Sequence, residues 1–581
     1  MAPVPFPSKG VYHNYYGALA AAPTVPIPQA GDMYYNSVGN IMYYYDASVP
    51  GWVAFAASGS DKRQSKVIVG NSLAGGGGFS DTLSNCDFLG DLTGVPAGPG
   101  NPALYGIQRA IQSVSGNTKG ALIYIREGTY AMSIVGVAPA GWDAPFHLSQ
   151  MITAPTGPII IEGSGMYAVN IINNLAAPIV GPTMILDHPG AGGPGATTTP
   201  VTIKNFNIRG NGTAGRLAAL QGVATLEIGC SGKGRTPVAA AIASNVTVQS
   251  VMVDGKNPTG PVYDFIACYL VNTAVAFPVN FNATDSIFKN GNDAAPIPLP
   301  SPVGVFQDGN NVNPASQFST YKNCEFTGGI GAESGFAAAT ASSFSITNCR
   351  SHDNIDCGFR IRTSVNVTIS ATNSNTNACI SVAAGNAGGF SVFNSSYVRM
   401  VNCYADMNKT GAGLGWNFVF YNCNNVSVTA CHAVGAGSAA TMDMLGFLAD
   451  LGTHIDFINC IANNHGNNTG AANAMGYGFR IGATGATMYV QVNDCSAMGN
   501  DNWGLAFNGV APANADHCQI VGGSFNTNGV VGKVKVPAAN ARQWTASGTA
   551  GQANVLIDST TNLPTDSVNT TEAVHFVYNF P

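Results

Sequence analysis

Residues 344–349 read FSITNC, and relatives of this hexapeptide return along much of the chain. STYKNC (319–324), VRMVNC (398–403) and IDFINC (455–460) share the Asn-Cys ending. VSVTAC (426–431), VQVNDC (490–495) and VTISAT (367–372) are variants, and VTIKNF (201–206), VTVQSV (246–251) and VNFNAT (279–284) are upstream relatives. Each alternates β-branched or aromatic residues over four or five positions, the period of a short strand, and then stops at Asn, Ala, Ser or Asp and turns. Positions equivalent to Cys349 stand as little as 23 residues apart (Cys349 to Thr372) and as much as 45 (Phe206 to Val251). The strand is constant and the spacer is not. Stacked helices would keep a tighter period, whereas a parallel β-helix stacks strands rung on rung and lets loops of any length leave its corners.

Working outward, Gly-Phe or a relative follows most of the later corners: Gly335-Phe336, Gly358-Phe359, Gly389-Phe390, Gly446-Phe447, Gly478-Phe479 and Gly504-Leu505. These are expected to open the next strand of the same coil with the aromatic ring inward. Asn at a tight corner tolerates the left-handed backbone conformation. Its amide can also bond the Asn one rung above, where equivalent positions repeat at about 4.8 Å. The Cys column is read as small buried apolar side chains. A disulfide framework is disfavoured, because the 13 cysteines are an odd number in a large chain. No Cys-x-x-Cys pair suggests zinc, and no cofactor is expected.

Composition agrees. Of 581 residues only 9% are charged and 71 are Gly, while 45% are hydrophobic. Disorder is excluded by the apolar content. A helical enzyme would need Glu, Lys and Arg on its solvent faces, and Asn, Ser, Thr and Gly stand there instead. A net charge of −6 argues against nucleic acid as a partner. The first residues, MAPVPFP, lack the basic start and apolar core of a signal peptide. The two long uncharged stretches, 364–398 and 410–442, are too rich in Asn, Ser, Thr and Gly to insert in a membrane.

With this repeat, residues from about 100 to 530 resemble the pectate-lyase-like superfamily, in the form seen in phage tailspikes. The resemblance implies an all-β fold, a right-handed parallel β-helix. It extends to residues 103–112 (ALYGIQRAIQ), an amphipathic helix pattern with Leu104, Ile107, Ala110 and Ile111 on one face, followed by ALIYIREGTY at 121–130. In the family such a helix caps the coil, which would otherwise expose apolar residues and open strand edges. Residues 31–55 look like a two-strand module common near the front of phage tail-fibre and structural proteins, with Val38-Gly39-Asn40 as its turn and Trp52 closing it. Residues 1–30, rich in Pro and Ala, suit an extended arm.

The expected organisation is therefore an arm and virion-attachment module at 1–60, a linker and cap at 61–130, the β-helix at 131–530, and a small β segment at 531–581. In phage spikes such a terminal segment helps three chains associate. The resemblance implies a homotrimer in the virion, assembled in the host cytoplasm and held to other virion proteins through residues 1–60.

The densest cluster of chemistry is Ser351-His352-Asp353-Asn354-Ile355-Asp356, followed by Arg360 and Arg362. A glycosidase needs two carboxyl groups about 5–5.5 Å apart for retention or 6.5–9.5 Å for inversion. Asp353 and Asp356 share one turn, and Asp406 stands three residues after Cys403 as His352 does after Cys349. Asp353, Asp356 and Asp406 are the catalytic candidates, with Glu333, His352, Arg360 and Arg362 as ligand-binding candidates. The competing reading is structural: Asp and Asn after a strand bond their own backbone, and the arginines pair with them. Three functions follow: a fibre or tailspike binding host surface polysaccharide, a depolymerase on the same scaffold, and a head fibre or decoration protein without a ligand. Fold alone does not separate them.

Overall fold

The fold comes from a computed structural model. It describes residues 4–8, 11–22, 32–36, 41–46, 51–54, 65–72, 79–94, 104–114, 117–132, 146–147, 157–173, 183–186, 200–210, 224–229, 244–255, 266–271, 279–289, 303–308, 318–327, 334–339, 342–354, 357–375, 387–406, 415–435, 444–465, 476–482, 487–500 and 503–507, with short pieces at 515–516, 519–521, 523, 534–535 and 545–547. The chain divides into two units, Met1–Ser65 and Lys66–Pro581. Of the small β segment expected at 531–581, only 534–535 and 545–547 are among the described residues.

In the first unit five strands form one sheet. Met33–Asn36, Ile41–Asp46 and Gly51–Ala54 pair antiparallel, so the module at 31–55 has three strands rather than two. Tyr34 stacks on Tyr43 at 5.1 Å and meets Trp52 edge-on at 4.9 Å. Residues 4–19, expected as part of an extended arm, are instead two further strands, Val4–Ser8 and Val11–Leu19. Pro5 and Pro7 lack an N–H and accordingly fall on the edge strand.

The second unit is a right-handed parallel β-helix with three sheets. Face 1 runs from Ala121–Ile125 to Thr487–Asn493 and on to Gln519–Val521. Face 2 runs from Gly128–Met132 to Ser496–Met498, and face 3 from Phe146–His147 to Trp503–Phe507 and Val534–Lys535. One turn shows the plan. Cys357–Arg362 lies on face 3, Thr363 turns the chain, and Val365–Ser370 lies on face 1. Ala371 turns it again, and Asn373–Asn375 lies on face 2. Both corner residues have positive φ, 49° and 48°. From Ser334 to Ile458 length variation falls between face 2 and face 3, which leaves the two tight corners in register.

The corner after face 1 explains the repeat. Asn205, Ser250, Asp285, Asn323, Asn348, Ala371, Asn402, Ala430, Asn459 and Asp494 all adopt the left-handed conformation there. Their amides form the expected ladder: Asn348 Nδ2 donates to Asn323 Oδ1 at 2.8 Å, and Asn323 Nδ2 to Asp285 Oδ1 at 2.9 Å. The repeat at 279–284 thus sits two residues early, because the corner of that rung is Asp285-Ser286.

The next residue points inward, and here the apolar reading of Cys needs correction. Cys324 Sγ donates to the Lys322 carbonyl at 3.3 Å and Cys349 Sγ to that of Thr347 at 3.3 Å. The Cys349 sulfur also accepts the Cys324 N–H at 3.4 Å. Ser286 does the same with oxygen, donating to the Thr284 carbonyl at 2.8 Å and accepting the Val251 N–H at 3.2 Å. Thr372 follows suit with Ser370 and Cys349, at 2.9 and 3.4 Å. From Ser286 upward the column thus holds small side chains that donate and accept, which spares buried backbone groups the cost of lacking a partner, whereas Phe206 and Val251 fill it on the lower rungs. Cys423 holds the equivalent place at the corner after face 3, donating to the Tyr421 carbonyl at 3.4 Å. Burial pushes its thiol up to about 12, so at neutral pH it is protonated and can donate. The ten described cysteines are all unpaired by disulfides and buried.

Face 3 supplies the inward rings expected from the Gly-Phe pairs. Phe359, Phe390, Phe418, Phe447 and Phe479 stack at 4.9, 5.0, 4.7 and 4.8 Å with planes within 8°. All five are fully buried. The lower end is closed by a helix, Gly106–Ser113, which buries Ile107, Ala110 and Ile111. Leu104 is buried too, but in the strand Leu104–Tyr105 that pairs with Thr93–Gly94, so the helix begins later than its pattern suggests.

Candidate functional site

Period two on face 2 turns one side chain of each three-residue strand inward and two outward. The residue directly after each corner Cys begins one outward column: Glu325, Arg350, Asn373, Tyr404 and His432 stand on successive rungs. The residue three after the corner forms the other: Thr327, His352, Asn375, Asp406 and Val434. The shared offset of His352 and Asp406 thus places them in one column, two rungs or about 10 Å apart at the usual strand spacing.

The two columns bring together Glu325, Arg350, His352, Asp353, Tyr404, Asp406 and His432 in a chain with few ionisable groups. His352 is the centre of its end of the patch. Its Nε2 lies 3.0 Å from Glu325 Oε1 and its Nδ1 2.7 Å from Asp353 Oδ2. The imidazole side chain is 15% exposed, against 40% for Glu325 and 59% for Asp353. A protonated ring donates to both carboxylates; a neutral ring donates to one and accepts nothing from the other unless that carboxyl carries the proton. Asp353 itself has φ 56°, the left-handed conformation that Asp tolerates. At the other end Tyr404 Oη donates to Asp406 Oδ2 at 3.3 Å. Partial burial, and then the neighbouring Asp406 carboxylate, raise the Tyr404 phenol above its usual range. The Tyr404 and His432 rings follow one rung apart, at 6.5 Å.

Of the residues singled out by sequence, His352 and Asp353 are in contact, and Asp406 shares their face. Arg360 and Arg362 belong to face 3 instead: Arg360 Nη2 reaches Cys357 Sγ at 3.9 Å, and the Arg362 guanidinium lies 5.7 Å from the Phe393 ring centroid. Glu333 and Asp356 lie outside the described residues. Glu325, Arg350, Tyr404 and His432 were missed, although one rule finds all four: each directly follows a corner Cys.

A second polar cluster is internal. His465 is fully buried; its Nδ1 donates to Asn500 Oδ1 at 2.8 Å and its Nε2 accepts from Asn417 Nδ2 at 3.0 Å. Burial pushes its pKa down to about 4, against a smaller opposing effect of the Asn500 bond. Asn500 Nδ2 donates on to the Ala462 carbonyl at 3.0 Å and Asn417 Nδ2 to that of Val434 at 3.0 Å. This network ties three rungs together. Among the described residues no group of three or more His, Cys, Asp or Glu is arranged to hold a metal ion. No described helix is long and apolar enough to cross a membrane.

No family model matches the sequence. No curated protein matches it either. Solved structures align with the chain at low identity. The A-module of the mannuronan C-5 epimerase AlgE6 of Azotobacter vinelandii aligns over 77% of this chain and 95% of its own, with 14% identity and a TM-score of 0.40. The gp42 tailspike of Acinetobacter phage vb_AbaP_AS12 aligns over 92% and 76%, with 11% identity and a TM-score of 0.34. ORF18 of Geobacillus virus E2 aligns over 92% and 75%, with 12% identity and a TM-score of 0.27.

Proposed function

We propose that the chain is a virion spike or fibre of a tailed phage whose coil binds a host surface polysaccharide. Residues 1–60 dock it on other virion proteins, and three copies associate. The observation that carries the reading is the face 2 patch: hydrogen-bonding and aromatic side chains at Glu325, Arg350, His352, Tyr404, Asp406 and His432 repeat at rung spacing on a rigid wall. Such a wall meets a polymer that itself repeats, as solenoid surfaces do for extended ligands. A side chain held on a strand also loses little further entropy when it binds.

One observation favours a second reading, a depolymerase. His352 stands between two carboxylates, the arrangement that orients an imidazole for proton transfer. The ring fills the space that an inverting carboxylate pair leaves for water, so Glu325 and Asp353 are not themselves a ready glycosidase pair. The chemistry this site suits is removal of a proton by His352 Nε2 once substrate displaces the Glu325 carboxylate from it, Asp353 holding Nδ1–H, with Arg350 one rung from Glu325 available to a uronate carboxylate.

The test joins mass to turnover. The purified chain is sized by light scattering, then incubated with bacterial envelope polysaccharide while new reducing ends and unsaturated uronate are followed. A trimer that retains polymer without shortening it supports the binding spike. Shortening that disappears in His352→Gln supports the depolymerase. A monomer that does neither overturns both and leaves a structural virion protein.

A further inference from the structure

On face 1 a single outward column runs along the edge next to the corner from face 3. Its lower part is Asn245, Asn280 and Phe318, paired in register. From the next rung on, the position drops out of the ladder on both strands alike and the register is kept: Ser342 and Phe344 pair with Val365 and Val367, skipping Ser343 and Asn366. The same skip continues through Tyr397, Asn425, His454 and Tyr489. All six skipped residues have positive φ, from 50° to 58°. From Asn366 to Tyr489 their side chains are exposed.

Two features set this column apart. Its rings are open to solvent: Phe318 is 53% exposed, Tyr397 59% and Tyr489 43%. The His454 ring lies parallel to that of Tyr489, 4.8 Å away and within 12°, forming a flat two-ring platform. Second, the backbone does not favour Tyr. Positive φ is tolerated by Asn and His but is an outlier for a bulky residue. Asn366 and Asn425 show that the fold itself is served by Asn at this position. Tyr397 and Tyr489 therefore keep a strained backbone at exposed rings, Tyr489 in its stack with His454, and strain retained at an exposed position points to function. The column beside it (Thr368, Arg399, Ser427, Asp456, Gln491) supplies hydroxyl, amide and one charge of each sign.

We infer that this edge of face 1, from Phe318 to Tyr489, is a track for an extended neutral glycan, separate from the charged patch on face 2. Pyranose rings carry apolar C–H faces that pack on aromatic rings, and their hydroxyls match the Ser, Thr, Asn and Gln side chains alongside. Tyr397 and the His454–Tyr489 platform lie within three rungs, about 14 Å, so one chain can touch both. The near absence of net charge in the two columns selects against a polyanion. The inference rests on the polysaccharide reading above and adds the face, the residues and the charge class.

The full-length protein is run by affinity electrophoresis through gels cast with dextran, yeast mannan, alginate or bacterial lipopolysaccharide. Tyr397→Asn/Tyr489→Asn is compared with the wild type and with Tyr167→Asn, which removes an exposed ring off the track. The double variant installs the residue that Asn366 and Asn425 already carry, so it is expected to fold and to melt no lower than the wild type. The expected result is retardation of the wild type by a neutral polymer, weakened at least tenfold in the double variant and retained in Tyr167→Asn. Equal retardation of wild type and double variant overturns the track and leaves the polysaccharide reading standing. Retardation only by alginate overturns the neutral assignment. A lower mass of the double variant in light scattering assigns the strip to contacts between copies and also overturns the track. Retardation of the wild type by none of the polymers overturns the polysaccharide reading, and the inference with it.

Discussion

Faces 1 and 2 are walls of one coil, built from the same rungs, and they present opposite chemistry. Face 2 concentrates Glu325, Arg350, His352, Asp353, Asp406 and His432 on a few three-residue strands. Face 1 carries longer strands with hydroxyl and amide columns edged by exposed rings. Inward, the two are nearly interchangeable. Val, Ile, Phe and Ala fill both, and the small hydrogen-bonding column at their shared corner serves each equally. In a stacked coil the inner positions answer to the rungs above and below, and the outer positions, ladders such as Asn280 on Asn245 apart, are far less bound by the fold. Difference between outer faces is therefore where function is written.

That contrast can be broken first from inside. Phe418→Ala removes the middle of the ring stack and is expected to cost about 3–5 kcal/mol, the usual range for a buried ring in a close-packed core. Denaturant unfolding measures it, and a cost below about 1 kcal/mol would mean that inner columns are as free as outer ones.

A slightly smaller effect belongs to His465. The folded protein keeps the ring neutral down to about 4, whereas the unfolded chain takes up a proton near the ordinary value of 6.5. Stability from this group is complete above that ordinary value, is lost as the pH falls toward 4, and is constant below. The loss is about 3 kcal/mol at most. His465→Gln should flatten this part of the curve of stability against pH. An unchanged slope would assign acid sensitivity to other groups.

The corner column sharpens the comparison further. Cys431 accepts the Cys403 N–H at 3.4 Å and donates to the Thr429 carbonyl at 3.4 Å. Cys431→Val strands both and should cost about 1–3 kcal/mol, while Cys431→Ser should be nearly neutral. Equal losses in both would restore the purely apolar reading of the sulfur. The smallest effect is expected outside: His352→Gln, on face 2, should change stability by no more than about 0.5 kcal/mol. A large loss there would make the Glu325–His352–Asp353 cluster a structural clasp.

Most of the inner architecture was legible because it repeats. FSITNC and its relatives mark one corner, and the Gly-Phe pairs mark the ring column of face 3. The misplacement at 279–284 arose because Ala283-Thr284 resembles Ala371-Thr372 in letters, while the turning residue is Asp285. The Pro content of the first residues suggests an arm, but an edge strand accommodates Pro on its unpaired side. The outer site was half legible. His352 and Asp406 share an offset from Cys and proved to share a column, whereas Arg360 and Arg362 are near Asp353 in sequence and on another face in space. One turn separates faces in a coil, so neighbours along the chain are poor guides to neighbours on the surface.

The corner ladder has one more consequence. Each turn is held by the same few bonds to the turn before it, and a complete turn needs as few as the 23 residues from Cys349 to Thr372. Duplicating or deleting such a unit would lengthen or shorten the molecule by about 4.8 Å without altering its cross-section. Reach is then a heritable quantity that changes in fixed steps, independently of what either wall grips.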